Sequence, residues 1–228
     1  MLQPMDRPDI CHWSRKAGLA AECGALFLGV PTVCALGWLP LPIIPLLLVM
    51  AGGCWLALQR LRNARPRKPL FTNPARREWK RILFTYAVAI PLLLGLLWLM
   101  QPEAMFSLLK NHAAIWLLVM VAYPIVSVVP QEIIYRAFLF ERYQSLFGRR
   151  WGMNAVSAAL FSFGHIVFHN WPAVLLAFFG GWLFAVTYRR TGSLLAVSIE
   201  HALYGCAIFT IGFGQYFLAG TLKFIGAN

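Results

Sequence analysis

The sequence predicts an all-α polytopic membrane protein, a bundle of seven or eight transmembrane helices with a cavity inside it. Of the 228 residues, 60% are hydrophobic and only 12% are charged, whereas a soluble domain carries roughly 25% charged residues. Apolar runs close to the length that crosses a bilayer, about 20 residues, recur along the whole chain. We therefore expect one integral membrane domain over residues 1–228.

Seven apolar segments are long enough to span a bilayer. They are expected at 18–39, 41–59, 82–100, 113–140, 153–170, 172–189 and 193–215, followed by a short eighth at 216–225. Pro40 and Pro42 join the first two segments as a hairpin. Pro124 and Pro130 interrupt the fourth segment, and prolines kink helices and free backbone carbonyls. A membrane helix tolerates such breaks where they face a cavity.

Basic residues predict the orientation and the surroundings of the chain. The net charge is +12, and most of it lies at 60–81 and 142–150. Cytoplasmic loops carry an excess of Lys and Arg, so both stretches, and the N-terminus with them, are expected on the cytoplasmic side near anionic lipid. No folded polar domain is expected, which excludes a nucleic-acid partner from the prediction.

Five polar residues interrupt the apolar segments: Gln131, Glu132, Arg136, His165 and His201. Ionisable groups are costly in hydrocarbon and persist there when they face a cavity, a partner or a reaction. At 1.5 Å per residue, Glu132, His165 and His201 lie about 12 to 18 Å from the ends of their three predicted helices. This common depth predicts one shared site.

Glu132 and Arg136 are four residues apart on one helical face and can pair. A buried carboxylate without its cation would be very costly, so Arg136 is expected to keep Glu132 charged and oriented. A purely structural ion pair is the alternative interpretation.

His165 and His169 also share a predicted helical face, which could suit a metal. The usual zinc helix signature is H-E-x-x-H, and no Glu lies between these two. His169 adjoins a turn expected at Asn170 and is assigned to the membrane interface. His165 is either an active-site group or a structural histidine. The five cysteines are scattered, which favours structural thiols over a zinc–thiolate site.

His201 lies deep in the last segment, near a helix break expected at Gly205. Its neighbour Glu200 points about 100° away from it. Glu200 is as well explained by helix packing as by function.

Three motifs in order resemble those of the CAAX-protease and bacteriocin-processing (Abi) family of intramembrane glutamic endopeptidases. The family patterns are E-E-x-x-x-R, F-x-x-x-H and H-x-x-x-N. Here they correspond to Gln131 through Arg136, Phe161 through His165, and His201 with Gly205. The connector at 180–194 is also similar. The resemblance covers about residues 113–210, the expected protease core, whereas the N-terminal membrane helices at 1–110 match only in being hydrophobic.

The resemblance implies proteolysis without a metal or another cofactor. In the family, the first Glu and the motif-two His are thought to activate a water, and the motif-three His and Asn to stabilise the oxyanion. Carried over, His165 orients the water, His201 is the oxyanion donor, and Glu132 with Arg136 is the supporting pair. A carboxylate in a low-dielectric cavity is a stronger base, and one oxyanion donor contributes about 3 kcal/mol.

Gln131 departs from the family pattern because it stands where the general base is expected. An amide cannot accept a proton at neutral pH, so the chain as written should be inactive or very slow. Three explanations stay open: a deliberate inactivating substitution, a natural pseudoenzyme, or a variant site in which Glu132 or Glu200 is the base.

Gly205 is the second departure, since the family has Asn at this position. Its presence removes one proposed oxyanion donor. The role would then pass to His201, to a backbone N–H or to Tyr204.

The predicted function is an intramembrane endopeptidase of a bacterial inner membrane that cuts a membrane-anchored protein or peptide near its membrane segment. Family substrates include prenylated C-termini, peptide precursors and C-terminal sorting anchors, of which the sorting anchor is preferred here. Three alternatives stay open. They are a non-catalytic binding or immunity protein on the same fold, a zinc peptidase using His165, His169 and His201 with Glu132, and a transporter or channel.

Overall fold

The computed structural model describes residues 8–39, 41–63, 69–148 and 151–217, and within these ranges it is helical and has no strand. Seven of the helices in the described ranges are long and apolar enough to cross a membrane. We number them α1 (Ser14–Ala35), α2 (Ile43–Asn63), α3 (Arg76–Met100), α4 (Ala113–Phe147), α5 (Trp151–Phe168), α6 (Trp171–Thr191) and α7 (Leu194–Ile211). The expected all-α polytopic bundle is confirmed. The eighth segment, predicted at 216–225, extends beyond the described residues.

The helix ends lie outside several predicted boundaries. The helix that contains α1 begins at Pro8, α3 begins six residues earlier than expected, and α4 runs to Phe147. The added residues are rich in charge, so hydropathy alone finds only the apolar part of each helix. The loop predicted at 101–112 contains a 3₁₀ turn at Pro102–Ala104 and a short helix at Ser107–Asn111.

The fourth span is irregular around its prolines, as the sequence predicts. It contains π-helical turns at Pro124–Val128 and at Ile133–Phe138, with four α-helical residues, Val129–Glu132, between them. Such π-bulges are wider than α-helical turns and frequently occur at functional sites. Here they lie on either side of Gln131 and Glu132, and the second turn contains Arg136.

The junction between α5 and α6 turns sharply. The last residues of α5, His165–Phe168, form a 3₁₀ turn, and His169 adopts a left-handed φ of 56°. Asn170 then caps α6, because its Oδ1 accepts a hydrogen bond of 2.9 Å from the backbone N–H of Ala173.

The predicted break at Gly205 is wrong, since α7 continues as an α-helix to Ile211. A buried glycine inside a helix commonly marks a close approach by a neighbour. A Cβ at residue 205 would overlap the ring of Tyr123 on α4. This glycine therefore allows two helices to meet and does not end one.

The most enclosed span is α7, and the least enclosed is α3. The bundle thus surrounds the helix that carries His201, while α3 exposes large apolar side chains such as Phe84, Leu92 and Leu99 on its outer face. This arrangement suits a protein whose outer surface meets lipid and whose polar groups face inward.

Candidate active site

The carboxylate of Glu132 on α4 lies at the centre of a buried polar network. Its Oε1 lies 2.7 Å from Nδ1 of His201 on α7, and its Oε2 lies 3.2 Å from Nε of Arg136. Glu132 and Arg136 are fully buried, and His201 is 5% exposed. The Arg136 contact is a charge pair that lacks hydrogen-bond alignment. The structure thus contains the pair expected from the i,i+4 spacing and joins His201 to it.

The ring of His201 is held on three sides. A carboxylate only accepts hydrogen bonds, so Nδ1 of His201 carries the proton that it shares with Glu132. The opposite nitrogen, Nε2, lies 3.1 Å from the hydroxyl of Tyr123. The ring of Phe184 on α6 stacks on the imidazole, with centroids 4.5 Å apart and planes inclined by 21°.

The Arg136 guanidinium is buried between α5 and α6. Its Nη2 donates a 3.3 Å hydrogen bond to the carbonyl of Gly181. Its central carbon lies 4.5 Å from the ring centroid of Phe161 and 5.5 Å from that of Phe184. A desolvated cation–π contact contributes about 2 kcal/mol. Aromatic faces and Glu132 together hold a charge that would otherwise be costly to bury.

Phe161 is the residue around which the three motif helices meet. Its ring centroid lies 4.7 Å from that of His165 and 5.5 Å from that of His201. The structure therefore brings His165, His201 and Arg136 around one aromatic ring, near Glu132.

One nitrogen of His165 makes no hydrogen bond to any residue in the described ranges. A carbonyl oxygen only accepts, so Nδ1 of His165 donates the 2.7 Å hydrogen bond to the backbone oxygen of Phe161. In the neutral ring Nε2 is then the acceptor. His165 is also half-buried, which suits a group that orients a water.

Gln131 immediately precedes Glu132 and is half-buried. Its Nε2 donates a 2.7 Å hydrogen bond to the hydroxyl of Ser127, one turn earlier on α4. The amide is therefore anchored along its own helix.

Glu200 and Tyr204 lie on another side of α7, toward α3. Glu200 is fully buried and pairs at 3.8 Å with Nη2 of Arg81. The Tyr204 ring meets that of Tyr86 edge to face at 5.4 Å. These contacts favour helix packing for Glu200 and Tyr204 over membership of the Glu132 network.

His169 does not join His165 on one helical face, because the chain turns between them. It lies exposed at the left-handed residue that ends the 3₁₀ turn. Among the residues that the structure describes, no three His, Cys, Asp or Glu side chains form a group that could hold a metal ion. The geometry of these ranges therefore gives the zinc alternative no ligand set.

Sequence reasoning missed Tyr123 and Phe184, which both contact His201. An aromatic residue in an apolar segment indicates packing, and no spacing rule connects Tyr123 to a residue 78 positions away. The glycine at 205 was the available signal, since a missing side chain leaves room for a neighbour.

Comparison with known proteins agrees with the geometry. Residues 112–207 match the type II CAAX prenyl endopeptidase Rce1-like family. This match, over less than half of the chain, supports the predicted resemblance to the CAAX-protease and bacteriocin-processing family. The matched range includes the whole network described above. A match to this family implies a hydrolase that acts on a peptide or protein in a membrane. No curated protein and no solved structure matches the chain.

Proposed function

We propose that the chain is a metal-independent, glutamic-type intramembrane endopeptidase whose general-base position is occupied by Gln131. One observation carries the proposal: Glu132, Arg136 and His201 form a buried, paired network around Phe161, beside a His165 whose Nε2 makes no hydrogen bond to a residue that the structure describes. A purely structural ion pair would need no half-buried histidine with an unused acceptor beside it.

The chemistry follows from these positions when a carboxylate stands at residue 131. A water held by Nε2 of His165 gives a proton to that carboxylate while its oxygen bonds to the scissile carbonyl carbon. The carbonyl π electrons move to oxygen, and this oxyanion develops beside His201. The tetrahedral intermediate then collapses, and the leaving amine takes the proton back from the base. With Gln131 the first proton has no acceptor, so we expect the chain as written to be inactive or very slow.

The proposed substrate is a membrane-anchored protein or peptide, cut near its membrane segment. The site lies within helices long enough to span a bilayer, so a substrate must reach it from the membrane. The basic stretches at 60–81 and 142–150 support a cytoplasmic N-terminus, and the proposed location stays a bacterial inner membrane. Among the family substrates a C-terminal sorting anchor stays the preferred one.

Gln131 also favours a second candidate function, a pseudoenzyme that binds the same substrates without cutting them. In this case the buried network serves stability, and the region around His165 serves recognition. The two functions differ in what a carboxylate at residue 131 would restore.

Cleavage of a panel of membrane-anchored peptides by Gln131→Glu and by the unmodified chain, in liposomes with and without chelator, separates these functions. We expect chelator-resistant cleavage by Gln131→Glu, about 100-fold or more above the unmodified chain, as for a positioned general base. Gln131→Asn is the matched control, because it retains an amide and should stay inactive.

Three other outcomes contradict the proposal. Binding without cleavage by any variant indicates the pseudoenzyme. Equal cleavage by the unmodified chain places the base elsewhere, at Glu132 or Glu200. Activity that chelator abolishes indicates a metal.

A further inference from the structure

We infer that Tyr123 is a positioning residue for His201 and that its hydroxyl replaces the side chain that Gly205 lacks. The inference rests on the proposed function, because it assigns a role inside the same site. It is carried by the geometry of six residues on α4 and α7.

The Tyr123 ring lies against Gly205 of α7. A Cβ on residue 205 would overlap three atoms of this ring, including its hydroxyl oxygen. Residue 205 lies one helical turn beyond His201, where side chains share a face. Tyr123 therefore occupies the volume from which a side chain at residue 205 would reach His201.

The Tyr123 hydroxyl is directed at His201. It lies 3.1 Å from Nε2 of His201. Phe209 meets the Tyr123 ring edge to face, with centroids 5.2 Å apart. The packed ring aims its hydroxyl at the histidine.

The proton in the contact between Tyr123 and His201 belongs to the tyrosine hydroxyl. Nδ1 of His201 donates to Glu132, whose charge is already matched by Arg136. A positive charge on His201 would have no counter-charge in this network, so the ring is neutral. Its Nε2 is then an acceptor, and the Tyr123 hydroxyl donates to it. The ordered sequence of contacts is Tyr123, His201, Glu132 and Arg136.

The hydrogen bond from Tyr123 determines how His201 is presented to the reaction. A hydroxyl has one O–H, and Tyr123 donates it to Nε2 of His201, whose own ring proton stays on Nδ1. Tyr123 thus acts through His201, because its hydrogen bond keeps the imidazole in one tautomer and one orientation beside the developing oxyanion.

The first test is ¹⁵N solid-state NMR of the unmodified chain and of Tyr123→Phe, labelled at histidine and reconstituted in liposomes. The chain has five histidines, and His201→Gln identifies the signals of residue 201. We expect a neutral ring protonated on Nδ1, with an Nε2 signal that shifts in Tyr123→Phe while the other histidines do not change. Tyr86→Phe, the same substitution on α3, should leave the His201 signals in place.

Gly205→Ala gives an independent variant, because it keeps the hydroxyl and moves the ring. It should reproduce the shift of the Nε2 signal. An Nε2 signal that neither Tyr123→Phe nor Gly205→Ala moves overturns the inference, as does a resting His201 that carries its proton on Nε2.

The second test is kinetic and uses the Gln131→Glu background. There Tyr123→Phe should lower kcat about 100-fold, as expected when a catalytic group loses its orientation, with KM almost unchanged. Tyr123→Ala with Gly205→Asn should recover part of the kcat lost in Tyr123→Ala alone, since the Asn side chain then has room to reach His201. An unchanged kcat in Tyr123→Phe overturns the inference. If Gln131→Glu does not cleave at all, the proposed function fails, and the NMR result alone decides the position of Tyr123.

Discussion

Arg136 is the cation on which the buried site depends. It is fully buried and lies 3.2 Å from Glu132, 3.3 Å from the carbonyl of Gly181 and 4.5 Å from the centre of the Phe161 ring. Each contact compensates part of the cost of removing a guanidinium from water. Loss of this charge would leave the Glu132 carboxylate buried beside a neutral histidine.

We therefore predict that Arg136→Met lowers the free energy of unfolding by about 3–5 kcal/mol, the cost of breaking a buried pair. The double variant Glu132→Gln with Arg136→Met should regain most of that loss, because no unpaired charge remains. Reversible unfolding in mixed micelles measures both. Arg77→Met, at an exposed residue of α3, is the control, and a loss there as large as in Arg136→Met would contradict the argument.

For single residues, the sequence predicts pairs within a helix but not which atoms of different helices meet. The i,i+4 spacing was enough to pair Glu132 with Arg136. Nothing in the spacing shows that His201 turns Nδ1 toward Glu132 and Nε2 toward Tyr123. Those orientations depend on how α4 and α7 approach one another, which is a property of packing.

The packing of α5 against α6 sets the position of Phe161. A Cβ on Gly181 would lie 3.0 Å from Cδ1 of Phe161 and 3.2 Å from Cα of Ala158. The same glycine offers the carbonyl to which Arg136 donates. Small residues let membrane helices pack at close range, and here close packing also places an aromatic ring inside the site.

We predict that Gly181→Leu destabilises the protein by about 1–3 kcal/mol, the usual cost of overpacking, and lowers cleavage in the Gln131→Glu background. The bulk of the new side chain must separate the two helices and move Phe161. Gly95→Leu is the matched control, since a Cβ at this exposed residue of α3 meets no atom within 4 Å. Thermal unfolding and single-turnover cleavage test the pair, and equal behaviour of the two variants would refute the prediction.

The elements themselves were largely predictable, because bilayer thickness fixes the length of an apolar span. The sequence also predicts the distortion of α4 from Pro124 and Pro130. The early start of α3 and the continuity of α7 through Gly205 were not predictable in this way. Both depend on partners, namely charged residues that pair with other helices and a tyrosine that fills the place of a side chain.

Across the whole molecule, ion pairs join the N-terminal spans to the core. Glu22 on α1 accepts from Arg142 at 2.7 and 3.0 Å and from the hydroxyl of Tyr143 at 2.7 Å. Glu78 on α3 pairs with Arg190 on α6 at 2.6 Å. The segment at 1–110, which the motifs do not cover, is thus attached to the segment that carries them.

These connections differ in burial, and burial decides how much each contributes. The Glu22 and Arg142 side chains are 36% and 33% exposed, and exposed pairs contribute about 0–1 kcal/mol. Arg81 on α3, by contrast, pairs with the fully buried Glu200 on α7 and hydrogen-bonds the hydroxyl of Thr187. Removal of Arg81 would leave a carboxylate in the interior without this cation.

We predict that Arg81→Met lowers the free energy of unfolding by about 3 kcal/mol or more, and Arg142→Met by about 1 kcal/mol or less. Because the loss comes from the stranded carboxylate, Glu200→Gln added to Arg81→Met should recover most of it, whereas Glu22→Gln added to Arg142→Met should recover little. Denaturant titrations of the four variants in one micelle composition measure the losses. A larger loss in Arg142→Met than in Arg81→Met would mean that the outer ion pair between α1 and α4, and not the buried pair between α3 and α7, holds the N-terminal spans on the rest of the bundle. The expected order instead makes the N-terminal spans part of the same cooperative unit as the site, through a carboxylate on the helix that carries His201.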